Sequence, residues 1–269
     1  MFIIDFNPII VSIGTMQIRW YGIIYILGFV FAYFWLNYVG KKWVKQFDKE
    51  NVEEFILYLM IGIIAGSRLF EMIFYRFESF IANPLELFKI WEGGMSFHGG
   101  LIGTFLAVKI WSVRRRIEFW KILDLISPVA IFSLMLGRIG NLLNGELIGT
   151  PFNGPWCAIF SGVDNVCRHP YPIYAFISHL LLFSWLIFLI YLNRSTLKKF
   201  FGSKLLSINF LIGYGILRII TDIWKIDNIV LGLKTGQLLS VIMIIIGLGI
   251  FAWTKKKWIL NKITSEHKK

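Results

Sequence analysis

Seven apolar runs, each near the length of a membrane-spanning helix, constrain the fold of this 269-residue chain more than any other feature. A transmembrane helix needs about 20 predominantly apolar residues, and the runs lie at residues 19–38, 55–75, 97–112, 119–138, 172–192, 205–222 and 237–254. Charged residues make up 16% of the chain, against roughly a quarter in soluble domains. A membrane barrel would show short alternating strands instead. We expect an all-α integral membrane protein with seven transmembrane helices, built as a single polytopic domain over residues 1–269.

Basic residues concentrate in every second connection between these runs and in the C-terminal tail. The basic segments carry Lys41, Lys42, Lys45, Lys49, Arg114, Arg115, Arg116, Lys121, Arg194, Lys198, Lys199, Lys204, Lys255, Lys256, Lys257, Lys262, Lys268 and Lys269. The other connections carry Arg76, Lys89, Arg168, Lys225 and Lys234. This alternation follows the positive-inside rule and accounts for the net charge of +12 without nucleic-acid binding. We expect the N-terminus outside, the C-terminus in the cytoplasm and a basic cytoplasmic tail at 255–269.

Two longer connections, at 76–96 and 141–171, fall on the outer side in this topology. Their glycines, prolines and asparagines are typical of turns. The chain begins MFIIDFNPII, without the basic start and the cleavage site of a signal peptide, so we expect this segment to lie on the outer surface. Cys157 and Cys167 share the second loop, where a disulfide is possible outside the cell and two free thiols are the alternative. Aromatic residues near the outer interface are expected as anchors: Trp20, Tyr21, Trp91, Trp156 and Trp224.

Polar residues collect at the outer ends of five spans. They are Arg19 and Tyr21 in the first span, Arg68 in the second, His98 in the third, Arg138, Asn141, Asn144 and Glu146 at the end of the fourth, and Arg218 and Asp222 in the sixth. Each has a structural interpretation by itself. Arg19 and Lys109 can extend to the interface, Arg218 and Asp222 can form a structural ion pair, and His179 and Asp124 are expected to be structural. Together at one membrane depth they indicate a functional site.

The residue types in this set suit a phospholipid headgroup. The guanidinium group of arginine is planar and permanently charged, and its paired N–H groups match phosphate oxygens. Gly99, Gly100 and Gly103 let a backbone or a lipid chain approach the start of a helix, where anions are favoured. The sequence has neither a metal-ligand motif such as HExxH nor a nucleotide-binding loop, so we expect no metal and no cofactor. A phosphate-linked group at the outer leaflet is the predicted substrate.

Several longer motifs closely resemble the prolipoprotein diacylglyceryl transferase family over nearly the whole chain. They are RWYGIIYILGF at 19–29, AGSRLF at 65–70, WEGGMSFHGGLIG at 91–103, GRIGNLLNGELIGTP at 137–151, RHPYPIY at 168–174, LRIITD at 217–222 and TGQLLS at 235–240. The resemblance implies an enzyme of the bacterial cytoplasmic (inner) membrane. Such an enzyme transfers the diacylglyceryl group of phosphatidylglycerol to the lipobox cysteine of a preprolipoprotein. This is the first step of lipoprotein maturation, and it forms a thioether and releases glycerol phosphate.

Carried over by motif, the family's essential residues fall on Tyr21, His98, Arg138, Asn141, Glu146, Gly149 and Arg218. Three positions depart from the family pattern. Asp222 stands where a glutamate is usual, Ala175 replaces the glutamate that ends HPxQxYE, and Glu71 occupies a position that is usually aromatic or small. The central motif is intact, so the activity is still expected, with rate or substrate preference open to change.

The roles expected of these residues follow from a displacement at a saturated carbon. Arg138 and Arg218 would bind the phosphate, and Asn141 and Asn144 would orient glycerol and phosphate oxygens. His98 is the candidate base, with another group or the phosphate itself as the alternative. Glu146 and Asp222 would hold the arginines in place. Further lipid contacts are expected from Tyr21, Arg68, Gly99, Gly100, Gly149 and Asp222.

Two other classes of protein remain as alternatives. A transporter or channel would use the buried charges as an ion pathway, but it predicts inverted repeats or discontinuous helices, which the sequence does not show. A lipid-binding membrane module without catalysis is the second alternative, and the departures at Asp222 and Ala175 leave it open.

Overall fold

The computed structural model describes residues 2–13, 16–44, 47–89 and 94–266. Side chains at 13, 16–18, 97–98 and 257–266 are not described, although their backbone is. The expectations for Lys45, Trp91, Lys268 and Lys269 therefore lie outside the described residues, as do those for the side chains of Lys257 and Lys262.

The described residues form mainly helices. They are α1 (Trp20–Trp35), α2 (Lys41–Trp43), α3 (Lys49–Phe74), α4 (Phe77–Ala82), α5 (Phe97–Arg115), α6 (Phe119–Leu143), α7 (Tyr171–Leu192), α8 (Leu197–Phe200), α9 (Leu205–Thr221) and α10 (Thr235–Glu266). A π-helical turn at Leu36–Gly40 joins α1 to α2, and 3-10 turns occupy Pro84–Phe88 and Asp222–Trp224. The first predicted outer loop thus contains α4 and a 3-10 turn. The second begins three residues later than predicted, because α6 continues through Leu143.

Short strands accompany the helices in three two-stranded sheets. They are β1 (Phe2–Ile4), β2 (Ile9–Ile13), β3 (Met16–Arg19), β4 (Ala158–Phe160), β5 (Ile229–Val230) and β6 (Leu233–Lys234). β2 pairs with β3 and β5 with β6, each antiparallel. β1 pairs in parallel with β4, in the register Phe2 to Ala158. The N-terminal segment therefore lies against the second predicted outer loop.

Six described helices are long and apolar enough to cross a membrane, which makes this a multi-pass membrane protein. They span Trp20–Trp43, Lys49–Phe74, Phe119–Leu143, Tyr171–Leu192, Leu205–Trp224 and Thr235–Lys256. Large apolar side chains remain exposed along them, for example Phe34 and Ile245, as expected of surfaces that face lipid. The third expected span corresponds to α5, a 19-residue helix outside this set of six. A seventh span stays a prediction.

The chain divides into two compact units, and each is described by itself. The first unit comprises Met1–Phe31, Ile126–Phe200 and Lys204–Lys269. In it α9 packs closely on α7 and α10, because glycines on α9 remove side chains from the contact. A Cβ on Gly213 would lie 2.7 Å from Leu182 Cδ1, and one on Gly215 would lie 2.8 Å from the carbonyl oxygen of Ser240. Small residues favour such close helix packing in membranes.

The second unit comprises Ala32–Leu125 and Phe201–Ser203. Glycines at i and i+4 on α3 and on α5 bring these helices together. A Cβ on Gly99 would lie 2.1 Å from the carbonyl oxygen of Gly66, and one on Gly103 would lie 1.9 Å from that of Gly62. Both distances are shorter than a side chain tolerates, so this GxxxG pairing requires glycine.

Candidate active site

The first cluster of predicted site residues lies at the end of α6. Arg138 is buried, with 8% of its surface exposed, and its Nη1 donates to Asn141 Oδ1 at 3.3 Å. The Nδ2 of Asn141 donates to the hydroxyl of Tyr21 on α1 and to Glu146 Oε2, the latter at 3.3 Å. Asn144 Nδ2 lies 3.4 Å from Glu146 Oε1. The structure thus brings five predicted residues together, with Asn141 at the centre of the network.

A tight turn places Glu146 within this cluster. Gly145 adopts a left-handed backbone conformation with φ of +65°, which glycine adopts without steric cost. The chain then turns back, and the amide nitrogen of Glu146 donates to the carbonyl oxygen of Asn141 at 2.8 Å. Glu146 therefore accepts from both asparagines, and Asn141 in turn accepts from Arg138. Glu146 is thus connected to Arg138 through Asn141 and not by a direct contact among the described hydrogen bonds.

The second cluster surrounds Arg218 at the end of α9. Arg218 Nη1 donates to the hydroxyl of Tyr214 at 2.6 Å, and its Nε lies 3.4 Å from Asp222 Oδ2. The carboxylate of Asp222 is fully buried, and the hydroxyl of Tyr171 donates to its Oδ1 at 2.6 Å. Asp222 therefore contacts Arg218 as the sequence suggested, while Tyr171 and Tyr214 were not predicted.

Two residues at the start of α10, Lys234 just before it and Gly236 in its first turn, complete the second cluster. Lys234 Nζ donates to the carbonyl oxygens of Asp222, Ile223 and Lys225 at 2.7, 2.8 and 2.5 Å, so its charge neutralises the carboxyl end of α9. Gly236 faces the ion pair, because a Cβ there would lie 2.0 Å from Asp222 Oδ2. The quoted motif TGQLLS contained this glycine, but the sequence alone gave no sign of its contact.

The two clusters are neighbours across α7. Both Arg138 and Arg218 interact electrostatically with Tyr171 and with His179 on that helix. His179 is buried and stacks on Tyr214 with ring centroids 5.4 Å apart. Two permanent positive charges therefore lie in one region of the first unit, where the low dielectric strengthens their attraction for an anion.

Gly149 joins the second loop to the end of α9. It forms an isolated antiparallel bridge with Lys225, and the amide nitrogen of Thr150 donates to the carbonyl oxygen of Trp224 at 2.8 Å. A Cβ on Gly149 would lie 2.3 Å from the carbonyl oxygen of His169. Gly149 therefore packs between the loop backbone at His169 and the backbone at Lys225. Its contact with lipid stays a prediction.

The rest of the second loop is rigidly connected. Cys157 and Cys167 form a disulfide with a Cα–Cα distance of 5.4 Å, which confirms their pairing over the alternative of free thiols. His169 stacks on Phe152 at 4.0 Å between ring centroids, and its Nδ1 lies 3.1 Å from the hydroxyl of Tyr174. Loss of water around the imidazole lowers the pKa of His169 below its usual value, which favours the neutral form at this position.

The remaining predicted residues belong to the second unit. Arg68 is 2% exposed, and it donates to the backbone carbonyls of Glu86, Leu87 and Gly94 at 2.5, 3.2 and 3.2 Å. It therefore orders the first loop. Gly99 and Gly100 pack on α3, where a Cβ on Gly100 would lie 2.6 Å from Ser67 Oγ. For these three residues a contact with lipid stays a prediction.

His98 lies in the first turn of α5, where Ser96 caps the helix through the amide nitrogen of Gly99. Its side chain lies outside the described part of the structure, so its role as a base also stays a prediction.

The fold and the first unit's site together define a multi-pass membrane protein with two arginines held by polar side chains, one buried and one partly buried. Comparison with known proteins gives this class a family. The sequence profile of the prolipoprotein diacylglyceryl transferase family matches residues 8–253, and the chain belongs to that family.

Similar proteins named phosphatidylglycerol–prolipoprotein diacylglyceryl transferase come from several bacteria. One from Rickettsia bellii is 37% identical over 93% of this chain and 96% of its own length. One from Pseudoalteromonas translucida is 38% identical over 93% and 94%, and one from Rickettsia felis is 39% identical over 90% and 95%.

Proposed function

We propose that this protein transfers the diacylglyceryl group of phosphatidylglycerol to the lipobox cysteine of a preprolipoprotein. The observation that carries the proposal is the pair of arginines in a protein of this family, the buried Arg138 and the partly buried Arg218. Within the described residues, Arg138 Nε is buried without a hydrogen-bond partner. A buried unpaired donor is costly, and a phosphate oxygen would satisfy it.

The reaction is a displacement at a saturated carbon of the lipid. The cysteine loses its thiol proton, because the thiolate is the effective nucleophile. Its sulfur then attacks the carbon of the diacylglyceryl group that is bonded to the phosphate oxygen. The C–S bond forms as the C–O bond breaks, and glycerol phosphate leaves with the electron pair of that bond. Negative charge on the phosphate grows in the transition state, so donors that are already in place stabilise it.

The first cluster supports a role for Arg138 in holding this phosphate. Asn141 fixes one side of the guanidinium through Oδ1, and Tyr21 and Glu146 fix Asn141 in turn. Such preorganisation means that the site does not have to reorganise when charge develops. Asn144 is bonded to Glu146 through its amide nitrogen. Its Oδ1 is buried and has no hydrogen-bond partner in the described chain, so it suits a glycerol hydroxyl.

The second cluster supports the same role for Arg218. Its contacts with Tyr214 and Asp222 use Nη1 and Nε, so the fork is oriented from two sides. We assign His98 to the removal of the thiol proton, with its pKa near the operating pH as the chemical reason.

The membrane placement belongs to the same proposal. Seven spans, with α5 as the third, would put the N-terminus and both loops outside and the basic tail in the cytoplasm. The charge alternation supports this orientation. The active site would then open to the outer leaflet of the bacterial cytoplasmic membrane, where a secreted lipobox peptide and phosphatidylglycerol both arrive.

A reconstituted transfer assay tests the proposed function. Purified protein is mixed with vesicles of phosphatidylglycerol and a peptide containing a lipobox cysteine, and the product is detected by mass spectrometry. We expect a diacylglyceryl thioether with phosphatidylglycerol, and none with a matched peptide that has serine in place of the cysteine. Lipid binding without a thioether would support the lipid-binding module, and ion flux across the vesicles would support the transporter.

A further inference from the structure

The carboxylate of Asp222 is held at its Oδ1 by a tyrosine from another helix. A fully buried carboxylate needs hydrogen-bond partners to offset the loss of water. The hydroxyl of Tyr171, the first residue of α7, donates to Oδ1 at 2.6 Å, while Arg218 Nε lies 3.4 Å from Oδ2. That second contact is an ion pair without a hydrogen bond, since Oδ2 has no hydrogen-bond partner in the described chain. The short bond from Tyr171 therefore fixes the rotation of the carboxylate.

The first turn of α10 and the residue before it also pack against Asp222. Gly236 faces Oδ2 so closely that a Cβ would lie 2.0 Å away, and Lys234 binds the carbonyl oxygen of Asp222 itself at 2.7 Å. The carboxylate therefore lies with Oδ1 toward Tyr171 and Oδ2 toward Arg218 and Gly236.

Tyr171 is also connected to the second loop. Its amide nitrogen donates to the carbonyl oxygen of His169 at 2.8 Å, and the amide nitrogen of His169 donates to Thr150 at 3.0 Å. A chain of contacts therefore leads from the loop around Gly149 through Tyr171 and Asp222 to Arg218.

We propose that Tyr171 is a positioning residue: its hydroxyl orients the Asp222 carboxylate, and that carboxylate orients the guanidinium of Arg218 toward the lipid phosphate. Tyr171 acts through Asp222 and does not itself contact the reacting atoms. This inference rests on the proposed transferase function.

The test is a double-mutant cycle in the reconstituted transfer assay, with Tyr171→Phe, Asp222→Asn and the double variant. Tyr171→Phe keeps the ring and removes one hydrogen bond to a charged group, so we expect kcat to fall about tenfold or more. The KM for phosphatidylglycerol should change less, because Arg218 contributes most as charge develops. In the Asp222→Asn background the added effect of Tyr171→Phe should shrink to less than about threefold, since the acceptor it orients is already altered.

The matched control is Tyr191→Phe, an exposed tyrosine on the same helix, which should retain wild-type activity. Wild-type kcat for Tyr171→Phe, or an equal loss with and without Asp222→Asn, would overturn the inference while leaving the transferase function intact. If Asp222→Asn does not fold, Asp222→Ser replaces it in the cycle.

A wild-type protein that makes no thioether would instead refute the proposed function. The contact of Tyr171 with Asp222 is then measured by the same cycle in thermal unfolding. Additive shifts in Tm would overturn that contact, and non-additive shifts would support it without a catalytic role.

Discussion

Replacing Arg138 by lysine keeps the charge and removes the shape of the group. In the structure Arg138 uses Nη1 to bind Asn141 at 3.3 Å and keeps a buried Nε without a partner among the described residues. Lysine has one ammonium group on a flexible stem and cannot make the planar fork of a guanidinium. It would lose at least one hydrogen bond to the phosphate or the contact to Asn141.

The size of the effect follows from that one lost interaction. A hydrogen bond to a charged group contributes about 1.5–3 kcal/mol, and each 1.4 kcal/mol is roughly tenfold in rate. We therefore expect Arg138→Lys to lower kcat/KM by about 10- to 150-fold, with most of the loss in kcat. The assay is transfer from phosphatidylglycerol to a lipobox peptide at several lipid concentrations.

The control is Arg194→Lys, because Arg194 lies beyond the far end of α7 and contacts the ring of Tyr191. Turnover close to wild type in Arg138→Lys would refute the argument from shape. It would mean that Arg138 supplies positive potential alone. A loss confined to KM would show that the arginine binds the ground state and the transition state equally.

Substitutions at Gly236, at the loop disulfide and at His98 test three other parts of the site. Gly236→Ala should reduce transfer at least about tenfold, because its Cβ would lie 2.0 Å from Asp222 Oδ2. Gly249→Ala, with nothing within 4 Å of the added Cβ, should behave as wild type. The double variant Cys157→Ser, Cys167→Ser should have a lower Tm, since a disulfide contributes about 2–4 kcal/mol to stability. The thioether should still form, because the reacting thiol belongs to the substrate, and loss of transfer in the folded variant would contradict this. His98→Asn should slow transfer strongly near neutral pH and less at alkaline pH, because cysteine ionises by itself near pH 8.5. A ratio of variant to wild-type transfer rate that stays constant from about pH 6.5 to 9 would exclude His98 as the base.

The sequence predicted the helices well where long apolar runs determine them. The run at 119–138 became α6, yet the helix extends to Leu143, because Arg138 and Asn141 lie on its last turns and bond to each other. The polar residues after position 138 favour the end of a span, but in the structure a buried polar network supports the last turns of the helix. The pairing of β1 with β4 joins residues about 156 positions apart, and local propensity holds no information on such a contact.

The site was predicted at the level of residue types more than of contacts. The arginines, Asn141 and Glu146 were found because charged and amide groups are rare in apolar segments. Tyr171 and Gly236 were missed as site residues. Tyrosine and glycine are common in membrane proteins, so the sequence does not single these two out, and only the packing shows that they contact the Asp222 carboxylate. Gly99 is expected to let either a backbone or a lipid chain approach, and the structure shows the approach of the α3 backbone, while the lipid contact stays a prediction.

The central claim is that the phosphate leaves with its oxygen while the carbon of the diacylglyceryl group bonds to sulfur. Phosphatidylglycerol with an oxygen isotope label at the atom between that carbon and the phosphorus tests this directly. If the displacement occurs at carbon, all of the label will appear in the released glycerol phosphate, and the peptide will gain an unlabelled diacylglyceryl group as a thioether. Label in the peptide product would contradict displacement at carbon, and with it the role of the two arginines in stabilising a departing phosphate.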